Sequence, residues 1–477
     1  MTASATNRVV PPVSPLSWWM EEALRVNPGK PCPPLHDTVD ADVCVVGGGY
    51  MGLWTAYELT EREPSLDVVL LEADICGAGG SGATAGFFSA SWDRLDKLCH
   101  YFGEAEGIRY ASALADEVGE LATWCAKHNA DIDFHHEGAL YPQAEPWQAP
   151  VPHAALGLLA AHRLSDKMPV VDGAAARRIA DSPRFIAGVI TPECATVQPG
   201  KLARELRRVL LERGVHIYEG TRLQELRQGV PALVKTPSGL VRAKQVVLAT
   251  GAWATPLRPL RRTFAVLIDY MVVTEPIPEL LKDIGWTSHM GIADSREMRY
   301  YFRRTEDGRV AIGGGSMGVV FGNHMRGGAF TSARIADAAA RGLAWFFPQL
   351  AGVRFERAWC GPLDMVPSRT PFFLTLNGGN VHAGLGFSAH GLTPTKLGGK
   401  TLASLVLGVD DEWSRMPVVG PFMSRVPPEP LRYPMLRVMQ WGLEGKDRDG
   451  ERGRCPGAAK RFVSRALAIY VGSRKPQ

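Results

Sequence analysis

Three glycines and one carboxylate are the residues of this chain whose spacing points most directly to chemistry. Gly47, Gly49 and Gly52 stand in the order G-x-G-x-x-G. They follow the apolar run 41–46 and open a segment, up to Arg62, in which Leu53, Trp54, Tyr57 and Leu59 keep roughly helical spacing. A second apolar run, 67–71, ends at Glu72, twenty positions after Gly52. That order predicts strand, tight turn, helix and strand, the unit that cradles a dinucleotide. The first glycine permits the turn. The second lets backbone approach a pyrophosphate, and the third lets the helix pack close to the strand. Free N–H groups and the positive end of the helix dipole then hold the phosphates. Glu72 accepts hydrogen bonds from a ribose diol, which favours an adenosine without a 2′-phosphate. The unit alone leaves NAD and FAD both open.

The following loop, ICGAGGSGATAGFF, favours FAD. It is too rich in glycine and small residues to be core, and it sits where a flavoprotein chain passes the ribityl and isoalloxazine. A second glycine turn, Thr250–Gly251, closes the apolar strand QVVLATGAWA near the pyrophosphate end.

The elements that must position these residues are alternating helices and strands in a long chain. At 477 residues it suits two or three lobes. Hydrophobic residues make up 45% and charged residues 21%, the balance of a globular protein rather than a disordered or fibrous one. A net charge of +4 over this length gives no basis for nucleic-acid binding. No apolar run reaches membrane-spanning length. Eight cysteines without a C-x-x-C pair fit a reducing compartment, and no signal peptide is visible, so the expected place is the cytoplasm. No metal site is expected.

Prolines at 11, 12, 15, 28, 31, 33 and 34 make the first forty residues irregular, with Trp18–Trp19 opening a short helix. The segment PGKLARELRRVLLERGVHIYEGTRL reads as helix, Gly214, strand. The stretch 256–350 alternates like an antiparallel sheet and contains the hairpin RYYFRRTEDGRVAIGGG, turning at Asp307–Gly308. The tail from 411 includes AAKRFVSRALAIYVGSR, a basic amphipathic helix expected to dock on the protein's own surface.

From about residue 37 to 410 the chain resembles the FAD-dependent amine and amino-acid oxidases of the D-amino-acid-oxidase superfamily, nearest the γ-glutamylputrescine oxidase branch beside sarcosine and glycine oxidases. The carrying segments are VVGGGYMGLWTAYEL, LLEADICGAGGSGATAGF, VVLATGAWA, YMVVTEP, YYFRRTEDGRVAIGG, CGPLDMVPSRTPF and GLGFSAHGLTPTKLGGKTLA. The resemblance implies a mixed fold, α/β plus α+β: a Rossmann-like FAD-binding domain over 37–90, 195–255 and 355–410, with an antiparallel-sheet substrate domain over 91–194 and 256–354. Residues 1–36 and 411–477 are then extensions. The implied FAD contacts are Gly47, Gly49, Tyr50, Met51, Gly52, Glu72 and Ala73, then Gly80, Ser81, Ala83, Thr84, Ala85, Thr250 and Gly251. The later motif adds Gly386, Phe387, Ser388, His390, Gly391, Leu392 and Thr393, whose backbone N–H groups would face the flavin pyrimidine.

Three departures stand out. Ala83 replaces the arginine usual in the flavin loop. Ala311 stands where sarcosine oxidases carry a lysine that helps activate oxygen. Leu363 and Asp364 stand where glycine-oxidase-like proteins carry a carboxylate-gripping arginine. Sarcosine-oxidase relatives bind FAD covalently through a cysteine, but Gly361 rather than Cys360 falls at that place. One residue along a strand turns the side chain to the other face, so noncovalent FAD is expected.

The implied reaction is oxidation of a C–N bond in an amine or amino acid, by hydride transfer to flavin N5, to give an imine, with O2 regenerating the flavin. Candidates for the wall over the flavin are Tyr270, Tyr301 and Arg303, with Asp364 anchoring an ammonium and His390 beside the flavin, either packed there or catalytic. Tyr301 and Arg303 share one strand face, while Tyr300, Phe302 and Arg304 share the other. Two other readings remain at this level: a dehydrogenase or biosynthetic tailoring enzyme that passes electrons to another acceptor, and a non-enzymatic flavin-fold binding protein.

Overall fold

The computed structural model describes residues 10–146, 153–257, 260–325, 327–376, 378–420 and 425–463. The apolar run at 41–46 lies in the strand Thr38–Val46, the centre of an eight-stranded sheet. It pairs in parallel with Val68–Leu71 on one side and Leu240–Leu248 on the other. His216–Tyr218 extends the first side, and Val381–Leu385 pairs in parallel with 246–248. All four residues of Val68–Leu71 are buried, as a parallel strand covered on both faces requires.

Helices cover this sheet. The helix Tyr50–Arg62 lies against Leu392–Leu407, and only glycine fits at 399, where a Cβ would stand 2.9 Å from the Trp54 backbone. The long helix Glu104–His128 packs across both. Trp124 meets Trp54 edge-on at 5.3 Å, and Lys396 and Lys400 ion-pair with Glu117 and Glu120.

The second sheet has ten strands. Its central strand, Ala265–Thr274, is antiparallel to Phe355–Met365 on one side and to Val310–Gly314 on the other. Tyr300–Arg304 pairs with Val310–Gly314, which is the expected hairpin, with Gly308 at φ 78 in its turn. Alternation splits the central strand. Val266, Ile268, Tyr270 and Val272 join the apolar cluster that includes the helix Ala333–Phe346. Asp269 and Met271 point to the opposite face, toward the parallel-sheet unit.

The division of the chain differs from the sequence expectation in three places. Phe355–Met365, assigned to the FAD-binding domain, is a strand of the antiparallel sheet. The helices of 95–128, assigned to the substrate domain, cover the parallel sheet, because their apolar stripe meets Trp54 and Tyr57. The tail contains an unforeseen helix, Arg432–Glu451, and residues 458–463 fold back on it, with Lys460 paired to Asp449 at 2.6 Å. The rest of the expected basic helix, from 464, lies outside the described residues. The N-terminal segment is structural rather than loose. Val13–Ser14 adds a strand to Phe355–Met365, and the expected helix runs over Trp18–Val26. Its cap residue Ser17 accepts from Met20 N–H at 3.1 Å and donates to the Gly82 carbonyl at 2.5 Å, tying this helix to the flavin-type loop.

Candidate active site

Glycine chemistry builds one end of the site. Gly47 adopts φ +115, and a Cβ there would stand 2.5 Å from the Ala249 carbonyl oxygen. A Cβ on Gly52 would stand 1.9 Å from the Gly47 carbonyl oxygen. The helix therefore starts hard against the strand, at the edge of the cavity. Ser81 Oγ accepts from Tyr50 N–H at 3.0 Å. Glu72 accepts from Gly48 N–H at 2.7 Å and from Asp74 N–H at 2.9 Å. Burial raises the Glu72 pKa, and those two N–H groups oppose the rise.

A single cavity of about 730 Å³ extends from this cradle to the antiparallel sheet. Gly47, Gly49, Glu72 and Ala73 line one end, followed by Gly80, Ser81, Ala83, Thr84, Ala85, Thr250 and Gly251. Phe387, Ser388, His390, Gly391, Leu392 and Thr393 line the other. The hydroxyls of Thr250 and Thr393 are buried there without a protein partner. The glycine cradle, two orphaned hydroxyls and an N-terminal helix end aimed at each extremity fit FAD. Gly47–Gly52, Glu72 and Thr250 would hold its adenosine diphosphate, and the loop 80–86 with the segment 387–393 would hold its flavin.

The turn at 386–389 is strained where it meets the cavity. Gly386, Ser388 and Ala389 have φ of 84, 52 and 67, and two of these are not glycine. Asp364 holds the turn: it accepts from Gly386 N–H at 2.7 Å and from Phe387 N–H at 3.1 Å. Burial lifts its pKa to about 6 against those bonds. His390 Nδ1 lies 2.8 Å from the Ser388 carbonyl. A carbonyl only accepts, so Nδ1 carries the proton. Enclosure, then Arg94, Arg369 and Arg299, hold the His390 pKa well below its ordinary value, which keeps the ring neutral.

The structure sorts the sequence candidates. Tyr301 lines the cavity, and its hydroxyl donates to Asp269 at 2.6 Å. Tyr270 does not line it. Its parity in the strand turns it to the far face, where its hydroxyl donates to the Ala329 carbonyl and accepts from Ser332 N–H. Arg303 is 1% exposed, donates to the Val197 carbonyl and lies over Trp19 at 5.4 Å, two residues too far along the strand to reach the cavity. Asp364 lines the cavity, and its carboxylate oxygens accept from the N–H groups of Gly386 and Phe387, so it positions the 386–388 turn. Tyr50 offers only its backbone, since its hydroxyl donates to the Pro199 carbonyl. Met51 and Gly52 pack behind the cradle, Met51 against Gly384 and Gly398. Gly386 sets the turn without lining the cavity. Cys360 faces away from the loop: its thiol lies near the Phe330 carbonyl, whereas a Cβ at Gly361 would stand 3.0 Å from that of Ala83.

Sequence reading missed four cavity residues. Asp269 was detectable as the only charge in FAVLIDYMVV. Arg299 pairs with Asp93 at 3.3 Å, and Glu297 pairs with Lys446 at 2.5 Å. Asp447 of the unforeseen helix accepts from the N–H groups of Glu297 and Met298, which fixes this wall. Arg369 stands at φ 53. Among the described residues its guanidinium has no acidic partner, and burial together with Arg94 and Arg299 lowers its pKa to about 10. The same cause, burial first and then Arg94 and Arg369, brings Lys97 down to about 8.

The two-sheet architecture with this cradle defines a flavin-dinucleotide protein whose second sheet closes over the reacting end. The chain belongs to the FAD dependent oxidoreductase family (DAO), whose model matches residues 42–405. It is similar to gamma-glutamylputrescine oxidoreductase of Escherichia coli (strain K12), with 29% identity over 406 residues, 81% of this chain and 88% of that protein. Two solved structures share the fold. L-proline dehydrogenase from P. horikoshii has TM-score 0.65 and 18% identity over 80% of this chain and 96% of that one. Glycine oxidase from Geobacillus kaustophilus has TM-score 0.64 and 18% identity over 78% and 96%. No helix among the described residues is long and apolar enough to cross a membrane. The protein is an FAD-dependent oxidoreductase.

Proposed function

We propose that this enzyme oxidises the C–N bond of a small amine or amino acid that also carries an anionic group. FAD held by the cradle and the 387–393 segment would supply the electron acceptor for hydride from the carbon next to nitrogen, with O2 as the final oxidant. The imine product hydrolyses in water. The protein's part is to position that carbon, exclude water and match the substrate's charges.

The carrying observation is the unpaired Arg369 on the wall of a cavity continuous with the FAD cradle. A half-buried guanidinium without an acidic partner among the described residues carries a desolvation cost, and a substrate carboxylate or phosphate supplies that partner in bidentate geometry. Arg299 and Arg94 strengthen the same corner. The cation absent from Ala83 and Asp364 therefore has a substitute in Arg369, five residues further along the same segment. The name of the E. coli relative, which contains a glutamyl group, is consistent with an anionic amine. All eight cysteines are free, which supports a reducing compartment, the cytoplasm.

The test is anaerobic addition of amines to the yellow holoenzyme. Amines bearing a carboxylate or phosphate are expected to bleach it, and their neutral counterparts to do so far more slowly. Equal bleaching by both overturns the anion requirement, and bleaching by neither overturns the activity. One observation favours a second reading, transfer to an acceptor other than O2: no lysine lines the cavity among the described residues. Hydrogen peroxide formed one-to-one with product excludes that reading.

A further inference from the structure

We propose that Asp269 is the base of this site, taking the proton of the substrate ammonium so that the neutral amine is the form oxidised. The inference rests on the amine-oxidising reading above and adds a residue and a step to it. The N–H bond of R–NH3+ breaks and an O–H bond forms on the carboxylate, giving R–NH2 and a carboxylic acid. No electrons leave either partner, and charge is conserved. Only the neutral amine has a lone pair to support loss of hydride from the adjacent carbon.

Placement comes first. Asp269 pairs directly with Gly361, and cross-strand partners project to the same face. On that face a Cβ at Gly361 would touch Ala83 of the flavin-type loop at 3.0 Å. Asp269 thus stands over the loop, at the end of the cavity where the reaction occurs, and it lines that cavity.

The carboxylate is also held. Tyr301 sits two strands away, beyond Val310–Gly314, so its ring must cross that strand to reach Asp269. It crosses over Gly313, where a Cβ would stand only 2.3–2.4 Å from the Tyr301 ring and hydroxyl. Glycine at 313 is what lets the tyrosine lie down and donate to Asp269 Oδ2 at 2.6 Å. The second oxygen accepts from Tyr270 N–H at 2.9 Å. Each oxygen keeps a lone pair for a third donor.

No cation has been supplied. Among the described residues no lysine, arginine or histidine lies in ion-pair range of Asp269, in contrast with the paired carboxylates of the second cavity wall. The ionisable group facing it is Tyr301 from 300–304; Cys360 of 355–365 pairs with Tyr270 and lies on the other face of the sheet. The loop 80–86 contributes none, and His324, Arg299, Arg369 and His390 stand elsewhere around the cavity. If Asp269 only accepted a hydrogen bond from Tyr301, a neutral acceptor would serve at lower desolvation cost. Burial raises its pKa to about 6, with the two hydrogen bonds opposing the rise. At neutral pH it is therefore ionised and ready to accept, yet a stronger base than an ordinary carboxylate. Tyr301 is the positioning residue, its own pKa pushed well above 10 so that it remains a donor.

The experiment uses the FAD-loaded full chain in two measurements. The first needs no substrate: infrared difference spectra across a pH titration follow the protonated-carboxyl band. The wild type is expected to show a band with a midpoint near 6 that D269N lacks. Y301F, which removes a bond to the charged form, moves that midpoint upward. The second is the anaerobic flavin-reduction rate with whichever amine of the panel above bleaches the wild type. The wild-type rate is expected to fall about tenfold per pH unit below the midpoint, and D269N to be at least ~100-fold slower at pH 7 without that limb. A D269N holoenzyme reducing within threefold of wild type, or absence of a D269-dependent carboxyl band, overturns the assignment. If D269N does not retain FAD, an unmoved midpoint and rate profile in Y301F overturn it. A titrating band in a protein that no amine reduces refutes the amine reading, and the base role falls with it.

Discussion

Replacing Gly52 by alanine tests the cradle at its tightest point. The new Cβ would stand 1.9 Å from the Gly47 carbonyl oxygen and 3.1 Å from a Val45 methyl, whereas ordinary contact begins at 3.4 Å. Both partners belong to backbone or buried strand, so neither can swing aside. The helix Tyr50–Arg62 must move away by roughly 1.5 Å, a clash of the kind that costs about 1–3 kcal/mol in a packed site. The same movement carries the first-turn N–H groups away from the pyrophosphate. Hydrogen bonds to charged oxygens contribute about 1.5–3 kcal/mol each, so two weakened bonds cost about 3 kcal/mol or more, or ~100-fold in FAD affinity. Gly119→Ala, on the outer face of the helix Glu104–His128, is the control, because a Cβ there meets nothing within 4 Å. Flavin-fluorescence titration of the apoprotein measures both constants. G52A binding FAD within threefold of wild type, or G119A failing as badly as G52A, refutes the steric account.

Three further outcomes follow from the cavity wall. Arg369→Gln is expected to raise KM for an anionic amine by ~10- to 100-fold while changing kcat much less, since a charge-assisted bond contributes about 1.5–3 kcal/mol; steady-state kinetics checks this, and an unchanged KM contradicts the anion corner. Acid precipitation is expected to leave the flavin in the supernatant for both wild type and Cys360→Ser, because the thiol faces the Phe330 carbonyl with its pKa pushed up to about 12; a yellow wild-type pellet that turns colourless in C360S reverses this. Lys97 is protonated below about pH 8 and neutral above it, so its support for the cationic corner is present at neutral pH and lost as pH rises through 8. Binding of an acetate probe, followed by flavin absorbance, should weaken by roughly threefold between pH 7 and 9, and Lys97→Met should flatten that dependence.

The FAD cradle was legible because its determinants are local. Gly47, Gly52 and Glu72 lie within a single strand–turn–helix–strand unit, and the steric demand at each glycine acts over a few residues. The hairpin at Asp307–Gly308 and the helix opening at Trp18–Trp19 were legible for the same reason. The catalytic end was less so. YMVVTEP drew attention to Tyr270, whereas its neighbour Asp269 faces the cavity. Arg303 was grouped correctly with Tyr301 by face, but distance along the strand separated their fates. Helix Arg432–Glu451, whose Asp447 braces the Glu297–Arg299 wall, carries glycines at 442, 445 and 450 and reads as tail.

By itself the chain of letters determined that a dinucleotide cradle forms, that FAD suits it, and that an alternating sheet accompanies it, since each depends on periodicity and turn chemistry within tens of residues. Only the tertiary structure decided which parity of that sheet meets the flavin loop. A strand's alternation defines two faces without saying which is which; pairing of Asp269 with Gly361, not of Tyr270 with it, is a matter of register between segments ninety residues apart. The same holds for the cationic corner, where Arg94, Arg299 and Arg369 meet from three separate segments with nothing but packing to bring them together.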